Sequence, residues 1–322
     1  MNDQEARAAW RLFTLNWIPL GLIGLVMALC LAFTRFSLKP EGALLSLGAI
    51  GLYAGIAYYN ALTPHRREPL VIFTLGSTAQ LMLASFLMTP LTYVGASLGM
   101  PLQDANLAAL DRALGIDWAA YFHFMLQWPA LLPALSLGYA MIGWPVFGVP
   151  AVLGWTGRYR RLQQFTLAFV LALIATTAIS TLVPALGTYG ELGIKVDPAV
   201  FTSGAYESST RDMALIHNGT LRQLDIFHLV GIVTFPSFHA CSAVLYLWGF
   251  WAVRWMRPVA LLSNGAMLLA TPIGGAHYFV DLFAGVAVAL LAIAAAKRLS
   301  ARLTRETAAP AIVIPGAAVP AE

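Results

Sequence analysis

The chain has 322 residues, 59% of them hydrophobic and 11% charged. Soluble domains average about 45–50% apolar and about 25% charged, so this composition excludes an ordinary water-soluble protein and indicates a polytopic membrane protein. The net charge of +4 is scattered over several loops, which excludes a concentrated nucleic-acid-binding face.

Residues 1–14 are polar. The first apolar run, Leu15–Thr34, is long enough to span a bilayer and reads as a retained helix, not a cleaved signal. Gly42–Leu62 is a second span. A turn with the basic pair Arg66-Arg67 follows, and then a third span from Leu70 to about Leu91, where Pro90 ends or kinks the helix. Met100–Trp128 is too polar to cross. Leu107, Leu110 and Leu114 recur at helical spacing, and Asp104, Asp111, Arg112 and Asp117 take other positions. It reads as an interfacial amphipathic helix with Trp118, Tyr121 and Trp128 at headgroup level. Ala130–Leu153 is a fourth span that Pro133, Pro145 and Pro150 should kink, and Phe165–Val183 a fifth. Pro184–Phe235 is the longest polar region. Pro236–Val253, Pro258–Ile273 and Tyr278–Ala296 complete the set. Cys30 and Cys241 fall inside apolar runs and read as small buried hydrophobes with no disulfide role. The expected fold is an all-α membrane bundle of about eight helices plus the interfacial one. It divides into N-terminal helices (1–98), a catalytic membrane domain (99–298) and a disordered Ala- and Pro-rich tail (299–322).

Eight spans put both termini on one side. That side collects 13 of the 19 Lys and Arg, which predicts cytoplasmic termini by the positive-inside rule. Pro236 and His277 then open their spans on the opposite, non-cytoplasmic face.

Those two positions begin the stretches that carry chemistry, Phe235-Pro236-Ser237-Phe238-His239 and His277-Tyr278-Phe279-Val280-Asp281. His277 and Asp281 are four apart, which on a helix places them on one face. A carboxylate on one imidazole nitrogen fixes the tautomer and frees the other to attack. Pro236-Ser237 suits a helix N-terminus, where free amides and the helix dipole favour a phosphate. His239 is placed to act as general acid and base. Ser237, Arg222 and Arg211 are the candidate phosphate contacts, with Lys195 a further cation in the same loop. A structural His–Asp cap, a thin zinc ligand set and a proton relay in a non-enzymatic transporter are the other readings of these residues. No cofactor is expected.

The motifs resemble the type 2 phosphatidic acid phosphatase superfamily, and within it the branch of the fungal inositol phosphorylceramide synthases (the aureobasidin-resistance family) and their bacterial relatives. Pro236-Ser237-Phe238-His239 is similar to that branch's Pro-Ser-Leu-His. His277-Tyr278-Phe279-Val280-Asp281 with Gly285 is similar to its His-Tyr-x-x-Asp-x-x-x-Gly. Gly219 through Asp225 resembles its Gly-x-x-Arg-x-Asp stretch, and Asp104 through Trp118 a segment of the bacterial relatives. The Lys-x6-Arg-Pro element of the broad superfamily is absent before Pro236, and its Ser-Arg is Ala270-Thr271 here. The resemblance implies a phosphohistidine on His277, Asp281 as its orienter and His239 as acid and base, with no metal. It implies a lipid phosphate substrate and a lipid alcohol or water as acceptor, hence a lipid phosphotransferase or a lipid phosphatase, in a bacterial inner membrane.

Overall fold

The structure is a computed structural model that describes residues 3–63, 65, 67–195 and 203–308. Pro64, Arg66 and the tail beyond Ala308 lie outside them. The polar N-terminal stretch is itself a helix, α1 (Asp3–Leu15), whose Ala8, Ala9, Leu12 and Phe13 are buried. Its apolar face packs into the bundle, a placement that its polar average composition hides. Asn16 joins it to α2 (Trp17–Phe33), and the two form one candidate span, Glu5–Phe33. Side-chain amides hold this junction. Gln80 Nε2 donates to the Phe13 carbonyl at 2.9 Å, Asn16 Nδ2 to the Gln163 carbonyl at 3.3 Å, and Gln163 Nε2 to Ser77 Oγ at 2.9 Å. In hydrocarbon a freed backbone group must find such a partner within the protein.

α3 (Pro40–Leu62) and α4 (Pro69–Ala96) each begin with proline in the first turn, where its missing N–H has no helical partner to lose. α4 runs through Pro90 to Ala96, past the end expected near Leu91. The expected single interfacial helix is two, α5 (Asp104–Ala113) and α6 (Trp118–Leu126), separated at Gly115, which adopts φ +74°. The fourth span is broken into α7 (Leu132–Ala140) and α8 (Pro145–Trp155), whose stretches bend by 67° at the break before Pro145. α9 (Tyr159–Leu182) follows. The long polar region holds α10 (Thr188–Glu191) and α11 (Gly204–His217). β1 (Ser37–Leu38) and β2 (Gln223–Leu224) pair in parallel, tying the link before α3 to that region. The chain ends in α12 (Phe238–Trp251), α13 (Arg257–Gly274) and α14 (Phe279–Ala308).

Five of the described helical segments are long and apolar enough to cross a membrane, or six if the bent pair counts as one span. The expected sixth and seventh spans are α12, 14 residues, and α13, 18 residues, which fall short of that measure of length and hydropathy. α14 carries helix ten residues past the boundary at 298, so the stretch expected to be disordered from 299 begins as helix. The core joins α4, α9, α12 and α14 around Leu81, Phe165, Phe169, Tyr246 and Ala289, all buried.

Candidate active site

Ser237 is the N-cap of α12. Its Oγ accepts from the Ala240 amide at 3.3 Å, and its own N–H donates to the Asp281 carbonyl at 3.0 Å. That second bond joins the two motifs backbone to backbone. It requires glycine at 285, because a Cβ there would overlap the Ser237 carbonyl oxygen. The Phe235–Pro236 peptide is cis.

His277 is not on the helix face expected for it. It sits in the turn between α13 and α14, after Ala276 at φ +55°, and Asp281 reaches back to it from the first turn of α14. His277 Nδ1 lies 3.3 Å from Asp281 Oδ2, which also accepts from the Tyr278 amide at 2.8 Å. Three other elements secure the turn. The Thr188 amide donates to the Ala276 carbonyl at 2.9 Å, and Trp118 Nε1 to the His277 carbonyl at 3.0 Å. Asp111 accepts from the Phe279 and Val280 amides at 2.9 Å each, and so caps α14 from a different helix. Burial raises the Asp111 carboxyl above the usual carboxylate range, and the two amides partly offset that. Asp104 accepts from the Leu186 amide at 3.0 Å, from the Gly187 amide at 2.7 Å and from Tyr278 Oη at 3.1 Å.

The His239 ring lies flat on Tyr139, centroids 3.9 Å apart, with its centroid 6.3 Å from that of His277. Both histidines border a cavity of about 270 Å³ between α4, α9, α11 and α12. Its lining interleaves the serines and threonines Ser85, Thr89, Thr92, Thr176, Thr177, Ser209 and Thr234 with apolar residues such as Met88, Ile142, Val146 and Leu173. His239 Nε2 is buried and has no hydrogen-bond partner among the described residues. A buried donor or acceptor without a partner is costly, and this one belongs to a residue that borders the cavity.

A family model described as the PAP2 superfamily matches residues 105–295, more than half of the chain. The chain belongs to the PAP2 superfamily. Its members are phosphatases or phosphotransferases, so this is an integral membrane enzyme of the lipid-phosphate type. No curated protein and no solved structure gives a match.

The PAP2 match spans His239, His277 and Asp281, which the fold brings together, and both arginines, which it leaves apart from them. Arg222 donates from Nη1 to the Ile216 and Leu221 carbonyls, both at 3.0 Å, and lies over the Phe36 ring at 4.8 Å. It closes the C-terminal end of α11. Arg211 donates to Asp212 Oδ1 at 3.1 Å, and Asp212 in turn accepts from Tyr93 Oη at 2.9 Å. No Lys or Arg lines the cavity among the described residues, and no three His, Cys, Asp or Glu side chains among them group so as to hold a metal ion. Sequence reasoning missed Asp104, Asp111, Trp118 and Tyr139 as parts of this PAP2 site. Asp104 and Asp111 are seven apart, hence on one helix face, and both are buried. That spacing is the signal that was open to reading. Trp118 is buried as well, while Trp128 is half exposed.

Proposed function

We propose that this PAP2 protein is a lipid phosphotransferase that moves a phosphate-bearing, inositol-phosphate-like head group through a phosphohistidine at His277, without a metal. The observation that carries this reading is the His277 Nδ1–Asp281 contact of 3.3 Å opposite the unpartnered His239 Nε2. Asp281 holds the Nδ1 proton, so Nε2 of His277 keeps its lone pair for attack on phosphorus. An N–P bond forms as the bond from phosphorus to the lipid oxygen breaks, and His239 delivers a proton to the departing alcohol. His239 then takes the proton of the acceptor hydroxyl, whose oxygen attacks phosphorus and releases His277. The N-terminal amides of α12, with Ser237 as its cap, are aligned to hold the phosphate. Arg211 is a better further cation than Arg222, because Ala205 and Ser209 of the same helix already border the cavity.

The seven hydroxyl side chains on the cavity wall suit a polyhydroxylated head group. They suit bound water equally, and that favours the second reading, a phosphatase in which water replaces the acceptor alcohol. The domain reading places catalysis in 99–298 behind the helices of 1–98. In the topology that goes with it, eight spans have both termini in the cytoplasm of a bacterial inner membrane and the site on the other face.

The test is turnover by purified protein in detergent with EDTA, given phosphatidic acid or phosphatidylinositol with and without a diacylglycerol or ceramide acceptor. A new phospholipid that depends on acceptor is the expected result, and free phosphate or inositol phosphate would mean a hydrolase. His277→Ala is expected to abolish both products and the acid-labile phosphoenzyme. Turnover that survives His277→Ala would overturn the mechanism.

A further inference from the structure

A second, larger hollow of about 440 Å³ lies beside the catalytic cavity. Its walls come from α3 (Leu45, Ile50), α4 (Phe86) and α8 (Phe147), and Phe227 and Leu229 close one end. The loop that carries Phe227 rests against α3, where Gly42 has the Phe227 ring and Ile226 as neighbours. Four residues, Ser85, Thr89, Gly143 and Val146, border both hollows, so the two are direct neighbours with only these residues between them. Two of the four, Gly143 and Val146, lie at the break of the α7–α8 pair. Gly143 sits in that break, with nothing within 4 Å of where a Cβ would be. Apart from Gly143, Val146, Phe147 and the 226–229 loop, the groove is built by α3 and α4, which lie outside the region matched by the PAP2 model.

We propose that this groove holds the hydrocarbon chain of the lipid phosphate whose head group occupies the catalytic cavity. The inference deepens the function proposed above and rests on it for the identity of the head group. The catalytic hollow carries the two histidines and the serine and threonine side chains. The other is mainly apolar and opens at the outer surface of the bundle, with Leu45 66% and Phe147 49% exposed. A molecule filling both ends must be an amphiphile with its phosphate at His277 and its chain past Gly143. The N-terminal helices then set chain preference, while the PAP2 region supplies the chemistry.

Two measurements on the full chain in nanodiscs test this. The first compares turnover of dioleoyl and dihexanoyl phosphatidic acid by wild type and by Ala49→Trp, which fills the groove from α3 far from the histidines. Since burial of each methylene changes affinity about fourfold, the long-to-short ratio of kcat/KM is expected to fall about tenfold or more in the variant. The second uses phosphatidic acid with a diazirine in its chain. Labelling is expected on α3, α4 and α8 around Ile50, Phe86 and Phe147, competed by unlabelled phosphatidic acid and weakened by Ala49→Trp. Competed labelling without turnover of any lipid would uphold the groove and overturn the proposed function. Labelling spread over all lipid-facing helices and insensitive to competitor, or an unchanged ratio, would overturn the groove.

Discussion

The carbonyls of Ala276 and His277 and the amides of Phe279 and Val280 are bonded by three different elements, through Thr188, Trp118 and Asp111. Under the proposed mechanism a turn held this way fixes the imidazole before substrate arrives, which is worth rate because a misplacement of about 1 Å costs on the order of 10²-fold. Asp281→Asn keeps the shape but allows the wrong tautomer of His277. We expect kcat to fall ~10²- to 10⁴-fold with little change in KM, read from steady-state turnover in detergent. Unchanged kcat would remove Asp281 from the reaction. Asp111→Ala strips the cap from α14 and is expected to lower stability by about 1–2 kcal/mol, seen as a lower Tm, together with a lower kcat. Asp111→Asn keeps one acceptor oxygen and is expected to fall between. A loss of Tm without loss of kcat in both would make Asp111 a cap and nothing more.

α12 and α14 meet where Ser237 bonds to the Asp281 carbonyl, and Gly285 is the residue that permits it. Gly285→Ala puts a methyl against a backbone oxygen that has no rotamer to move to. We expect a loss of about 1–3 kcal/mol by thermal unfolding and loss of turnover, since the two histidines separate. The motifs 236–239 and 277–281 were legible because both stand at the edge of apolar runs where polar residues need a reason. The α5–α6 pair was legible as amphipathic, but its buried acidic positions were not. Its acidic residues look like a wet face, yet Asp104 and Asp111 are buried against backbone amides more than 80 positions away, and nothing in the sequence marks an amide as needing an acceptor. Arg222 is the opposite case. An arginine near a phosphate motif invites a phosphate role, and its Nη1 is bonded to the Ile216 and Leu221 carbonyls at the end of α11.

Across the whole chain, long apolar runs made most spans readable. α1 was missed because its charged residues mask one buried face, and α12 and α13 are shorter or less apolar than a free-standing span. Orientation follows from charge and is open to a direct test. In a Cys30→Ala, Cys241→Ala background, cysteine at Lys195 is expected to react with an impermeant maleimide on intact cells. Cysteine at Arg254 is expected to react only after permeabilisation. The reverse pattern would put the site in the cytoplasm.

α14 has a bearing on how deep the chemistry sits. Its 30 residues make a rod about 45 Å long against a hydrocarbon layer of about 30 Å. The catalytic turn is fixed to its first residue, and the apolar stretch gives way to Lys297-Arg298 at the far end, roughly one layer thickness away. In the proposed topology the basic end anchors in one set of headgroups, so the rod acts as a depth gauge for the other. Under the proposed mechanism, a bilayer of longer acyl chains would draw His277 below the plane where lipid phosphates lie, which would make membrane thickness a control on the rate that no side chain at the site can adjust.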